Sequence, residues 1–174
     1  MPAALLTIFI KRALQTKRIV ENGYEIIPPE EALTLLNQDL VEQNLAHSQF
    51  ATACYCTLNT HTLHLDVARA GHPYPLLVKY DRTVVQLGQA GALLGVIPGE
   101  IYESASYRLS PGDKLLVYSD GLEDAFFEPV ADVAERPYAQ GFLNVVDCEI
   151  KELLQSLSGQ LAELSPPGSL RDDM

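Results

Sequence analysis

The sequence predicts an α+β domain, and three observations carry the prediction. Two helical segments open the chain, strands with period-two patterning and short polar turns fill its middle, and a long amphipathic segment closes it. At 174 residues the chain fits one domain, residues 1–174, with room for a single sizeable core.

Residues 2–15, PAALLTIFIKRALQ, start on a proline and continue through strong helix formers. Apolar residues cover nearly the whole circumference up to Lys11, so a helix packed deep in the domain is expected. A polar link through Asn22 and Gly23 follows. Pro28, Pro29, Glu30 and Glu31 form a helix start, with prolines at the entry and acids where the helix dipole favours them. Leu33, Leu36, Leu40 and Leu45 then mark one apolar face of a second helix.

From Phe50 the period changes to near two. FATACYCTL, a polar connection at residues 59–62 and LHLDVAR read as a β-hairpin, and residues 76–87 read as a second one turning at Asp81 and Arg82. Residues 102–109 alternate again, and Ser110, Pro111, Gly112 and Asp113 make a tight turn into one more strand. Six or seven largely antiparallel strands are expected. The glycine-rich residues 88–99 hold no phosphate-loop spacing. Residues 142–164 repeat apolar positions at three- and four-residue steps, predicting a third helix that ends at Ser165, Pro166, Pro167 and Gly168.

Composition narrows the function. The net charge of −11 is offset by no basic block, which excludes nucleic acid as a partner. Residues 1–10 are apolar, but no basic residue precedes them and Lys11 and Arg12 cut them short. They are neither a signal peptide nor a membrane span, so the cytoplasm is the expected compartment. Cys54 and Cys56 read as small buried residues on one strand face, an apolar setting that disfavours a thiolate. With Cys148 they make an odd number and suggest neither a disulfide framework nor a zinc cluster.

The chemistry concentrates in residues 114–125, KLLVYSDGLEDA. Leu115, Leu116, Val117 and Tyr118 have the makeup of a strand covered on both faces, after which Asp120, Gly121, Glu123 and Asp124 invert the polarity. Gly121 allows a sharp turn that leaves the Asp120 carboxylate at the strand tip. Two readings stand here: oxygen ligands for a hard divalent cation, or an acidic strand exit facing water. Asp172 and Asp173 form a second carboxylate pair, which is either a solvated tail or the other half of the site. Four converging carboxylates would need cations to neutralise them, and a two-metal hydrolytic centre that activates water towards phosphorus is their natural use. The serines lack a G-x-S-x-G setting, and His47, His61 and His64 lack metalloprotease spacing and read as surface or satisfied residues. His72, between Gly71 and Pro73, reads as a structural hydrogen-bonding residue.

At these residues the sequence meets a known pattern. FATACYCTLNTHTLHLDVARAGHPYPLL, LSPGDKLLVYSDGLEDA and the terminal RDDM resemble, in order and spacing, the SpoIIE/RsbU-type serine/threonine phosphatases of bacteria, of the metal-dependent phosphatase (PPM) superfamily. PAALL resembles the helix after the family's G-H-G turn, and PPEEALTLLNQDL its P-x-E-x-L-x-x-L-N-x-x-L helix. The resemblance implies an α-β-β-α sandwich holding two Mn²⁺ or Mg²⁺ ions at one end of its sheets. It implies that Asp120 and Asp172 are metal ligands and that Asp173, Asp124, Gly121 and His72 support them, with Glu123 on the solvent side of its loop. No catalytic residue beyond the metal ligands is implied. Asp124 stands where the family usually has Glu.

One departure accompanies the match. The family's metal-bridging Asp lies in a G-D-[FYW]-x-D strand before the G-H-G turn, and neither that strand nor the one after D-D-M-T is in this sequence. The sandwich is therefore expected to lack its first and last strands, the two-metal site to be incomplete and this chain alone to be inactive, with exposed apolar faces that favour a homodimer. The implied activity is dephosphorylation of a small phosphorylated regulatory protein such as an anti-sigma-factor antagonist, under an upstream sensor or receiver domain. The alternative is a catalytically inactive phosphatase-like interaction module.

Overall fold

In the computed structural model, residues 3–43, 50–129 and 136–164 are described. In chain order they form α1 (Ala3–Ala13), β1 (Lys17–Val20), β2 (Gly23–Ile26), α2 (Pro29–Glu42), β3 (Ala53–Asn59), β4 (His64–Ala70), β5 (Leu76–Val78) and β6 (Val84–Gln86). β7 (Ser104–Arg108), β8 (Lys114–Leu116), α3 (Glu123–Phe126), α4 (Gln140–Leu143) and α5 (Ile150–Leu164) complete them. The α+β class read from the sequence is the one the chain adopts. It divides into two compact units, residues 1–74 with 86–109 and residues 75–85 with 110–174.

In the first unit, α2 lies on the antiparallel sheet β3-β4-β7. Leu33, Leu36 and Leu40 recur on one face of α2 and are buried with Ala68, Ala70, Leu94 and Tyr102. Burying each leucine contributes about 1.5–3 kcal/mol. Asn37 shares this buried side of α2, at 1% exposure, and is satisfied at both ends of its amide. Its Nδ2 donates to the Ile97 carbonyl at 2.9 Å, and its Oδ1 accepts from the Gly95 amide at 2.8 Å. Asn37→Leu leaves the part-buried Gly95 amide and Ile97 carbonyl without this partner, so a loss of about 1–3 kcal/mol is expected in urea unfolding. The β3–β4 turn is set by Asn59, whose Oδ1 accepts the amides of His61 and Thr62 at 3.0 Å each.

Three sequence expectations change here. The first helix is not deeply packed: Ile8 is 52% exposed, and only the side carrying Leu6, Phe9, Ile10 and Ala13 packs against the core. The polar link through Asn22 and Gly23 belongs to a hairpin, β1–β2, that turns at Glu21 and Asn22 and whose strand residues are all exposed. Its devices are local: Lys17 Nζ lies 4.4 Å from the Tyr24 ring centroid, and Arg18 pairs with Glu31. This hairpin brings the described strands to eight.

The third change is in the second unit, where the segment read as one helix from residue 142 to 164 is two, α4 and α5. Asn144, Val145, Val146 and Asp147 have low helix propensity. Their polar groups are drawn outward as well, since Lys114 Nζ donates to the Val146 carbonyl at 2.8 Å and Arg82 pairs with Asp147. Phe142, Val146, Leu153 and Leu157 reach the core, while Ile150 and Leu154 are exposed. That core gathers Leu76, Val78 and Leu116 from the sheet β6-β5-β8 around Phe126. The ring of Phe126 lies 4.5 Å from Tyr118 and 5.0 Å, edge-on, from Phe142.

Candidate metal centre

Asp120 is positioned by the turn before β8 and the core after it. At residues 110–113 the Asp113 carboxylate accepts the Ser110 amide at 2.8 Å through Oδ2 and the Tyr80 amide at 3.0 Å through Oδ1. This ties the start of β8 to the β5–β6 hairpin. β8 pairs with β5 alone, Leu116 opposite Leu76, and stands at the sheet edge. The expectation of a strand covered on both faces fails for that reason: regular pairing ends at Leu116 and Val117 is 52% exposed. Tyr118 turns back into the core at 6% exposure, and Asp120 emerges exposed in a 3₁₀ turn over Asp120–Leu122.

Gly121 does not act as expected. It is not among the glycines with positive φ; the bend is the 3₁₀ turn itself, with the Leu122 amide donating to the Ser119 carbonyl at 3.0 Å. Asp120 Oδ1 accepts the Gly121 amide at 3.0 Å. Asp124 and Glu123 lie in the first turn of α3, and both face Arg136: Glu123 Oε2 at 3.1 Å from Nη1 and Asp124 Oδ1 at 3.8 Å from Nη2. Arg136 therefore neutralises these two acids and leaves Asp120 as the carboxylate of this turn without a basic partner among the described residues.

His72 belongs to the first unit. Its Nδ1 lies 3.2 Å from Thr52 Oγ1, and its carbonyl accepts from Arg69 Nη1. The preceding Gly71 has φ +64 and packs so closely that a Cβ would sit 2.4 Å from Leu93 Cδ2, so glycine is required there by both backbone and space. Asp172 and Asp173 lie outside the described residues. A hard divalent ion suits the carboxylate that Asp120 presents, but among the described residues no three His, Cys, Asp or Glu side chains converge on one point.

Other polar features are of a different kind. Burial, and then Glu100, push the Tyr102 hydroxyl up to about 12, so it is a neutral core phenol. A cavity of about 690 Å³ in the first unit, lined among others by Lys17, Tyr55, His64 and Asp66, holds none of the expected site residues. Cys54 and Cys56 depart from expectation. Both are half-buried, with sulfurs 3.7 Å apart and sharing a hydrogen bond. Their i, i+2 spacing on a strand was the available signal.

The family model of Stage II sporulation protein E (SpoIIE) matches residues 1–174. The chain belongs to the SpoIIE family. Over 166 residues this SpoIIE-family chain is 30% identical to the phosphoserine phosphatase RsbU of Bacillus subtilis (strain 168), covering 94% of the chain and 47% of RsbU. It thus spans about half the length of that relative. Among solved structures, it is similar to the SiaA-PP2C domain of Pseudomonas aeruginosa, with TM-score 0.72, 19% identity, and coverage of 99% of this chain and 68% of that one. It is also similar to the PP2C phosphatase domain of SpoIIE from Bacillus subtilis, with TM-score 0.61, 15% identity, and coverage of 99% and 46%. These likenesses establish a PP2C-type phosphatase fold, and the family is one of enzymes.

Proposed function

We propose that this chain is the phosphatase domain of a bacterial signalling regulator, removing phosphate from phosphoserine or phosphothreonine of a small regulatory protein. The observation that carries the reading is the family match over the whole chain, joined to an exposed Asp120 at the end of a strand whose neighbouring acids are already neutralised by Arg136. Asp120 and Asp172 would hold the Mn²⁺ or Mg²⁺ ions, supported by Asp173, Asp124 and Gly121, while His72 keeps a structural role in its own unit. Bound there, the ions supply a Lewis acid for the phosphoryl group and lower the pKa of water.

The chain's own contribution is placement. The Asp113 clamp and the Phe126 core hold the end of β8, and the Gly121 amide fixes the orientation of the Asp120 carboxylate. A regulatory protein as substrate, by analogy an anti-sigma-factor antagonist, is supported by a solved relative from Mycobacterium tuberculosis described as containing RsbU and RsbW domains. In the full-length protein, phosphate release from a phosphoserine protein is expected to need Mn²⁺ or Mg²⁺, to stop on chelation and to return when the ion is restored. Release that is unaffected by chelator overturns the reading, and a full-length protein that releases no phosphate while still binding a partner marks it as an interaction module.

A further inference from the structure

Outside the candidate metal centre, Cys54 and Cys56 form a close pair of nucleophilic side chains. They alternate on β3, which pairs with β4 alone and so lies at the edge of its sheet. Their sulfurs are 3.7 Å apart, and both side chains are half-buried, hence reachable. Directly opposite Cys54 in the β3–β4 register stands Arg69, only 8% exposed. Its guanidinium lies 3.7 Å from the Tyr74 ring centroid, and its Nε has no hydrogen-bond acceptor among the described residues. A buried cation beside a thiol pair is the setting in which a thiolate forms and reacts.

We propose that Cys54 and Cys56 are a peroxide-oxidisable dithiol that closes to a reversible disulfide. Either sulfur can donate the hydrogen bond between them, so either can be the one that loses its proton first. That thiolate attacks one oxygen of hydrogen peroxide, the O–O bond breaks, and hydroxide leaves as sulfenic acid forms on the attacking sulfur. The second sulfur then attacks the sulfenyl sulfur, the S–O bond breaks, and water departs with the second thiol's proton. With hydroxide taking up the proton first lost, two thiols and one peroxide give one disulfide and two waters. The two sulfurs lose the two electrons that the O–O bond gains.

The resulting bond is strained. At ~3.3–3.4 Å per residue, Cα atoms two apart on a strand lie about 6.7 Å from each other, at the upper end of the ~4.4–6.8 Å that disulfides span. Closing the sulfurs to about 2.05 Å must bend β3, which makes the disulfide readily reducible, as a reversible modification requires.

The test treats the full chain with hydrogen peroxide and maps its thiols by mass spectrometry, with Cys148 as internal control. The expected product has lost two hydrogens, placed in the peptide that holds Cys54 and Cys56, and dithiothreitol restores them. Cys54→Ser and Cys56→Ser should each lose the disulfide and accumulate a dimedone-trapped sulfenic acid on the cysteine that remains. Alanine variants at the same positions replace either serine variant that fails to fold. Absence of labelling in both single variants overturns the proposal. So does oxidation of Cys148 with Cys54 and Cys56 left free, or sulfinic acid formed with no disulfide.

Discussion

In the full-length protein, Asp120→Asn is expected to reduce Mn²⁺-dependent phosphate release by more than about 100-fold while leaving the fold intact. The substitution keeps the shape of the side chain and an oxygen that can accept the Gly121 amide, now 3.0 Å from Oδ1. The 3₁₀ turn should therefore persist, and because Asp120 is exposed, no buried charge is lost. What disappears is the negative charge that a hard cation requires of a ligand. Steady-state phosphate release at several Mn²⁺ concentrations, beside a thermal melt, separates the outcomes. Wild-type activity in the variant would remove Asp120 from the metal centre, and a collapsed melt would show a structural role instead. Calorimetric titration with Mn²⁺ provides an independent reading, with the wild type binding more tightly than the variant.

Phe126→Ala is expected to destabilise the second unit by about 3–5 kcal/mol. Phe126 is 2% exposed and touches the rings of both Tyr118 and Phe142. Truncation removes the aromatic burial and two edge or tilted ring contacts, and it leaves a cavity among groups fixed by sheet pairing and by α5. Tyr118 lies two residues before Asp120, so the loss should extend to the end of β8. Urea unfolding followed by near-ultraviolet circular dichroism measures the effect. A change below ~1 kcal/mol would mean that the site collapses around the smaller side chain.

Much of the fold is legible in the sequence because it rests on local pattern. Leu33, Leu36 and Leu40 mark α2 by spacing, and the alternation through β3 and β4 marks their hairpin. The misreadings have physical causes. Asn22 and Gly23 are a strong hairpin signal, but the flanking strands lack a buried face, so alternation did not reveal them. The periodicity of α5 extends backwards through Val145 and Val146, although the tertiary partners of Val146 and Asp147 break the helix there. For the site, the apolar run before the acids read as a strand with Asp120 at its tip, whereas β8 ends at Leu116 and Asp120 stands in the 3₁₀ turn beyond it. The pairing of Glu123 and Asp124 with Arg136 was not legible, because it spans a segment with no pattern of its own.

The second unit is assembled from two separate stretches of chain, and this has a consequence for biosynthesis. β3 meets β4 as soon as a short turn emerges, but β5 must wait for β8, with residues 86–109 of the first unit made in between. At ~5–20 residues per second the wait from Val78 to Lys114 is about 2–7 s. For that interval Leu76, Leu77 and Val78, all buried in the finished protein, stand on the nascent chain without the strand and aromatic core that will cover them. The strand that leads into Asp120 thus also closes the longest-lived apolar exposure in this sheet, and weakening it would prolong the chain's exposure to chaperones and proteases during synthesis.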